Sequence, residues 1–387
     1  VVLDTDGGGC GVTDNRGPLA GIKVVELAGI GPAPFSAMLL ADLGADVVRV
    51  DRPGAGDGKH DLLNRGKRSI VVDLKHAQGA EVVLELARRA DVLIEGLRPG
   101  VTERLGVGPE QCWEVNPQLV YGRMTGWGQD GPLASTAGHD IAYIALTGML
   151  HAIGRQGGPP QVPINLLGDF GGGGMYLTVG ILAALLEARG SGRGQVVDAA
   201  IVDGTAHLGM MIYGMLAAGG WSTERGTNLL DTGAPFYDVY ETADGKHMAV
   251  GALEPQFYAE LLDRLGLTGE APDRDDPENW PRLRELLAET FWQRTQQEWT
   301  EVFSGSDACV APVLSMTEAE DHPHIAARRT LTRSNGVLQP GPAPRFSRTT
   351  TSPGGVASPG AHTTEVFRDW QLPTELLETG AVLREEA

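Results

Sequence analysis

The chain has 387 residues, 42% hydrophobic and 21% charged, which is the composition of a folded globular protein long enough for two domains. A net charge of −19 argues against nonspecific binding to nucleic acid or to an anionic membrane. No stretch reaches the ~20 uninterrupted apolar residues of a bilayer span; the run 177–186 is cut off by Glu187 and Arg189 and reads as a buried helix.

Residues 1–17, with Gly7-Gly8-Gly9 and Asp14-Asn15, read as a disordered leader. They lack the basic flank and apolar core of a signal peptide. Strand and helix patterns then alternate through 22–126. Ile22-Lys23-Val24-Val25-Glu26-Leu27 is a β-branched run. Gly29-Ile30-Gly31-Pro32-Ala33-Pro34 turns into a helix that stops at Gly44. Strands follow at 45–50 and 69–74, a helix at 77–90, and strands at 91–95 and 119–124. This alternation predicts an α/β fold with a parallel sheet and right-handed crossovers. Gly29-Ile30-Gly31 is not read as a dinucleotide fingerprint, because Pro34 and Phe35 stand where the third glycine belongs.

Residues 172–220 read as helices, in which Met210, Met211 and Met215 fit a plain core better than a bed for a fatty acyl chain. At 232–305 the texture changes to a hairpin, 235–242 and 247–250 about the turn Ala243-Asp244-Gly245-Lys246, followed by helices at 256–265 and 280–304. This predicts a small α+β domain. Beyond 331 the chain is rich in Pro, Ser, Thr and Gly, with a last helical stretch near 362–381.

Between Arg49 and Lys75 seven basic residues face four acidic ones. In an acidic protein this suits a small polyanionic ligand as well as it suits a solvated surface. Cys10, Cys112 and Cys309 form neither a metal pattern nor a disulfide framework. With no peroxisomal address in Arg384-Glu385-Glu386-Ala387, a reducing, cytoplasmic setting and a site without metal are expected.

Three motifs carry chemistry: Gly138-His139-Asp140, Gly168-Asp169-Phe170-Gly171-Gly172-Gly173-Gly174, and Gly251-Ala252-Leu253-Glu254-Pro255-Gln256-Phe257. An imidazole titrates near working pH and suits a base on one face of a carbon. A carboxyl group at a helix start serves the opposite face once partial burial raises its pKa. Alone, His139 reads as a cap or core residue, Asp169 as an N-cap and Glu254 as a surface carboxylate. Together, His139 and Asp169 read as a two-sided proton relay. Glu254 would orient the imidazole, with Asp140 as a competing support. Glycines beside Asp169 would let a substrate approach, and amides at that helix start would face a developing oxyanion.

With these motifs stand Gly21-Ile22-Lys23-Val24-Val25-Glu26-Leu27-Ala28, Ala41-Asp42-Leu43-Gly44-Ala45-Asp46-Val47-Val48, Asp91-Val92-Leu93-Ile94-Glu95-Gly96, Arg98-Pro99-Gly100-Val101, Gly126-Trp127-Gly128-Gln129 and Gly194-Gln195-Val196-Val197-Asp198-Ala199. In this order, over about 18–350, the chain resembles the α-methylacyl-CoA racemases, a branch of the family III CoA-transferase superfamily. The resemblance implies a large Rossmann-like domain at 18–199 and linker helices at 200–231. A small α+β domain at 232–305, a return linker at 306–330 and a C-terminal segment at 331–387 that rejoins the large domain would follow. It further implies an interlocked homodimer, racemisation at C2 of 2-methylacyl-CoA thioesters, and no cofactor beyond the coenzyme A of the substrate. The CoA thioester would meet Arg49, Val72, Asp73, Leu74, Lys75, Gly96, Leu97, Arg98 and Arg104, together with Gly138, Asp140, Ile141, Ala142, Tyr143, Gly168, Phe170, Gly171, Gly172 and Gly173. Two other readings stay open: CoA transfer with Asp169 as nucleophile, and noncatalytic acyl-CoA binding.

Overall fold

A computed structural model of the chain describes residues 17–56, 58–351 and 353–383. The leader expected at 1–17, save Gly17, and the terminal residues 384–387 lie outside the described residues. In chain order the structure runs β1 (Lys23–Leu27), α1 (Pro32–Asp42), β2 (Asp46–Asp51), β3 (Arg68–Val72), α2 (Gly79–Ala87) and β4 (Val92–Glu95). Then come α3 (Val101–Arg104), α4 (Pro109–Val115), β5 (Val120–Thr125), α5 (Asp140–Leu146) and α6 (Met149–Ala152). A wide π-helix, Leu166–Met175, continues into α7 (Tyr176–Ser191), followed by β6 (Val196–Ala200), α8 (Ile201–Leu208) and α9 (Met210–Ala217). The hairpin β7 (Tyr237–Glu241) and β8 (His247–Gly251) precedes α10 (Pro255–Leu265), α11 (Trp280–Phe291), α12 (Gln296–Phe303), β9 (Val310–Pro312) and α13 (Pro323–Arg328). The chain ends through β10 (Leu331–Ser334), β11 (Val337–Pro340), α14 (Thr363–Asp369) and β12 (Val382–Leu383).

The chain divides into two compact units. The first holds residues up to 135, 173–200 and those from 329 onward; the second holds 136–172 and 201–328. This differs from a large domain running unbroken through 18–199. The segment 136–172 joins the second unit because α5 packs on α6 and α8. The stretches expected as linkers, 200–231 and 306–330, also belong to that unit apart from residues 200, 329 and 330.

In the first unit seven strands form one sheet in the order β12-β3-β2-β1-β4-β5-β6. All neighbours are parallel except the last strand, which runs antiparallel to β3 through Val382 opposite Val72. β4 is wholly buried, and β1 and β3 bury all but their first residue. Such strands read as continuous Val, Ile and Leu runs rather than as alternating ones. β6 is a correction: it lies inside the stretch read as all helix, yet pairs Val196 to Ala200 with Tyr121 to Thr125. The run Leu166–Ser191 has the length and composition of a membrane span. Its α7 part buries Leu177, Ile181 and Leu185 and packs against β5 and β6. The expected terminal helix at 362–381 is shorter, because α14 stops at Asp369 and Gln371 takes a left-handed φ of 54°.

The basic stretch is resolved here as well. Arg49, Arg65 and Lys67 are buried and paired with Asp51, Asp42 and Glu26 at 2.8, 2.5 and 2.6 Å. Arg68 is shared by Asp46 and Asp369. Four of the seven cations therefore hold the fold together, leaving Arg52, Lys59 and Lys75 exposed. Lys67 also donates to the Pro34 carbonyl at 3.0 Å, tying the β3 approach to the start of α1. Burial pushes its pKa below the ordinary lysine value, against the opposing pull of Glu26.

In the second unit β7, β8 and β9 form an antiparallel sheet, the expected hairpin plus a third strand that the sequence did not announce. Phe291 stacks on Tyr240 at 5.3 Å and meets Trp299 edge-on at 5.3 Å. Thr295 and Glu298 close a reciprocal capping box at the start of α12.

An E26Q substitution leaves the Lys67 ammonium buried without its counter-charge and is expected to cost about 3–5 kcal/mol in denaturant unfolding. A double change of Glu26→Leu and Lys67→Met removes both charges and is expected to recover most of that loss.

Candidate active site

The site residues divide between the two units. In the first, the order β3-β2-β1-β4-β5 reverses direction between β1 and β4, the crevice where open parallel sheets take ligands beyond their strand ends. Gly96, Leu97 and Arg98 follow β4 at this point, with Gly96 and Arg98 exposed and the Leu97 amide donating to Glu95 at 2.6 Å. Arg104, one helical turn further on in α3, is exposed too. A side chain at Gly96 would press on Ala33 at 3.2 Å, so the glycine keeps this loop against α1. Ile30, 83% exposed in the turn after β1, sits at the same switch point. The sequence reading passed over it once the dinucleotide pattern failed, although the strand order is what makes the turn informative.

Two expectations for this unit need correction. The Arg49 guanidinium is buried, spent on Asp51 and on the Ala357 carbonyl at 3.4 Å, and is not presented to phosphate. The Val72–Asp73 strand end is covered by the C-terminal strand: Val72 pairs with Val382, and the Asp73 amide donates to the Ala381 carbonyl. Leu74 is half-buried, and only Lys75 stands in solvent.

In the second unit His139 is the exposed residue immediately preceding α5, in extended conformation. Its carbonyl accepts the Ala142 and Tyr143 amides, which starts the helix. The amides of Asp140 and Ile141, in the first turn, have no carbonyl four residues back to receive them. Gly138 and Ala142 are half-buried, Ile141 is exposed and Tyr143 is buried, so this segment presents alternate residues outward.

Asp169 lies inside the π-helix rather than capping a helix. The Phe170 amide donates to the Asn165 carbonyl at 3.2 Å, five residues back, as π geometry requires. The Asp169 amide donates to Asp140 Oδ1 at 2.7 Å. The amides at this glycine-rich start are therefore occupied, contrary to the expectation that they face an oxyanion. The half-buried Asp169 carboxyl accepts from Asn165 Nδ2 at 3.3 Å. Asn165 was missed, though the i, i+4 spacing on one helix face would have signalled it. Burial raises the Asp169 pKa above the ordinary carboxylate value. Asn165 opposes this, the Asp140 carboxylate adds to it, and His139 lies close enough to pull it back down.

The glycines serve the protein itself. A Cβ at Gly168 would sit 2.2 Å from Asp140 Oδ1, and one at Gly172 would sit 2.4 Å from Thr205 Oγ1. Gly171 faces the Leu166 carbonyl and Leu208. These positions allow α5 and α8 to close on the π-helix, which corrects the idea that they make room for substrate. Gly173 is buried.

Glu254 is exposed at the N-cap of α10 without a side-chain cap bond. No hydrogen bond or ion pair joins it to His139 within one chain among the described residues. Neither does Asp140 support the imidazole, since its Oδ1 is given to Asp169. Arg274, also missed, braces the strand end before Glu254. It donates to the Ala252 and Leu253 carbonyls, both at 2.9 Å, and stacks on Phe236 and Tyr258. Met210 and Met211 are 61% and 58% exposed on α9, which buries none of its residues, so they are not core in a single chain. Among the described residues no group of three or more His, Cys, Asp or Glu side chains could hold a metal ion.

The chain belongs to CoA-transferase family III, whose family model matches residues 19–363. It is 48% identical to mouse alpha-methylacyl-CoA racemase over 361 residues, covering 92% of this chain and 94% of the relative. It is 46% identical to the human protein of the same name over 363 residues, covering 92% and 94%. A solved CAIB/BAIF family protein from Brucella suis superposes with a TM-score of 0.79 at 27% identity, over 92% of this chain and 100% of that one.

A raised native pKa means that ionising Asp169 costs the folded state free energy that the unfolded state does not lose. Wild-type stability should therefore fall as pH rises from the ordinary carboxylate value, about 4, through the raised one. D169N lacks this titration and is expected to be the more stable protein at neutral pH, with the advantage vanishing below about pH 4. Denaturant unfolding across that range measures it.

Proposed function

We propose that this chain interconverts the epimers at C2 of 2-methyl-branched acyl-CoA thioesters by a two-base proton transfer through an enolate. The observation that carries the reading is the pair His139 and Asp169, of different chemistry, linked through Asp140, which adjoins His139 and accepts the Asp169 amide at 2.7 Å. In one direction the His139 imidazole takes the C2 proton, the electron pair moves onto the thioester oxygen, and protonated Asp169 delivers a proton to the opposite face. In the other direction the roles exchange. Burial raises the Asp169 pKa, the direction an acid catalyst needs. The Asp140 and Ile141 amides at the start of α5, which have no carbonyl four residues back, supply donors for the enolate oxygen.

Coenzyme A enters as part of the substrate, and no further cofactor is required by this chemistry. Arg98, Arg104 and Lys75 supply cations for its phosphates. Glu254 orients the imidazole across a homodimer, since it does not do so within one chain; the same dimer would cover the exposed face of α9. A cytoplasmic protein of branched-chain lipid metabolism fits this reading, with no nucleic-acid partner.

The test is deuterium incorporation at C2 in D2O from each pure epimer of a 2-methylacyl-CoA. H139A and D169N are each expected to lower inversion by about 10²–10⁴-fold, the usual worth of a general acid or base. Each should impair proton removal from a different epimer more strongly. Exchange unaffected by either change would contradict the proposal. An aspartyl adduct at Asp169 trapped by hydroxylamine, with transfer to a second carboxylate, would support CoA transfer instead.

A further inference from the structure

Asp140 is the residue that ties the two reacting segments together. It follows His139 in the chain, so the two share a peptide bond and the position of one constrains the other. Its side chain is buried at 8% exposure, and Oδ1 accepts the Asp169 amide at 2.7 Å. Gly168 is shaped to admit it, because any Cβ there would lie 2.2 Å from that same oxygen and 2.8 Å from Ile144 Cγ2. The other oxygen, Oδ2, receives no donor from the described residues. A buried carboxylate oxygen left in that state costs free energy. Stability alone does not explain placing a carboxylate there.

We propose that Asp140 is a positioning residue, a single hydrogen-bonded strut that fixes the separation between His139 and Asp169 across the stereocentre. This rests on the racemase reading above. Its consequence is specific. Removal and redelivery of a proton on one face need only one of the two groups, whereas inversion needs both at the right spacing. Losing the strut should therefore uncouple exchange from inversion instead of lowering both alike.

The experiment compares D140A, D140N and G168A with the unsubstituted chain in D2O. From each pure epimer it measures C2 deuteration with retention and the rate of inversion. A misplacement of about 1 Å costs on the order of 100-fold. D140A and G168A should lose inversion on that scale, while the ratio of retained exchange to inversion rises by about tenfold or more. D140N keeps an oxygen to accept the Asp169 amide and should return the ratio to within about threefold of the unsubstituted chain. A merely structural role lowers the amount of active protein and leaves the ratio unchanged in D140A, which would overturn the strut. A ratio in D140N as high as in D140A would overturn it too. Failure of the unsubstituted chain to exchange or invert would overturn the racemase reading first, and the strut with it.

Discussion

A carboxylate buried at the first turn of a helix needs a donor, and Asp140 finds one in the amide of Asp169. That bond sets the geometry around it. It requires glycine at 168, fixes where the π-helix begins relative to α5, and places two unlike titratable groups within electrostatic reach. The wide π turn is part of the same arrangement. With bonds closing five residues back, the helix carries Asp169 and Asn165 together, so the carboxyl has a donor while staying half-buried. A side chain at 168 or 172 would clash with Asp140 on α5 or Thr205 on α8.

The first unit solves a different problem. A parallel sheet whose strands are apolar on both faces has few ways to lock its register. Here it uses ion pairs that join different elements: Glu26 on β1 with Lys67 just before β3, and Glu95 on β4 with Arg123 on β5 at 2.8 Å. Arg123 extends the link to Glu103 on α3, the helix that carries Arg104 and follows the Arg98 loop. The exposed arginines after β4 are thus held by a buried one on β5. The C-terminal strand pairs with β3 and closes the far edge of the sheet.

The fold was legible where periodicity and punctuation agree. β1 to β5 and the β7–β8 hairpin stand within a residue or two of where the β-branched runs and glycines put them. β6 was hidden because its five residues follow a long helix and precede another, and Val196-Val197-Asp198-Ala199-Ala200 suits either state until it pairs with β5. His139 and Asp169 were readable from their motifs, but their partners were not. Asp140 looked like help for the imidazole and instead serves the opposite group, a choice made by tertiary packing. Arg49 looked like a phosphate ligand because composition does not report burial. Arg274 carries no motif, and its work on the Ala252 and Leu253 carbonyls depends on two aromatic rings from separate elements.

The proposed racemisation rests on two bases of different kind acting on opposite faces of one carbon. It is tested most directly by following one pure epimer of a 2-methylacyl-CoA in D2O during the first few per cent of turnover. Two bases predict that the inverted product carries deuterium from the outset while unreacted substrate still carries hydrogen. Inverted product that retains the substrate's own hydrogen would contradict it, because one group would then have carried the same proton from face to face.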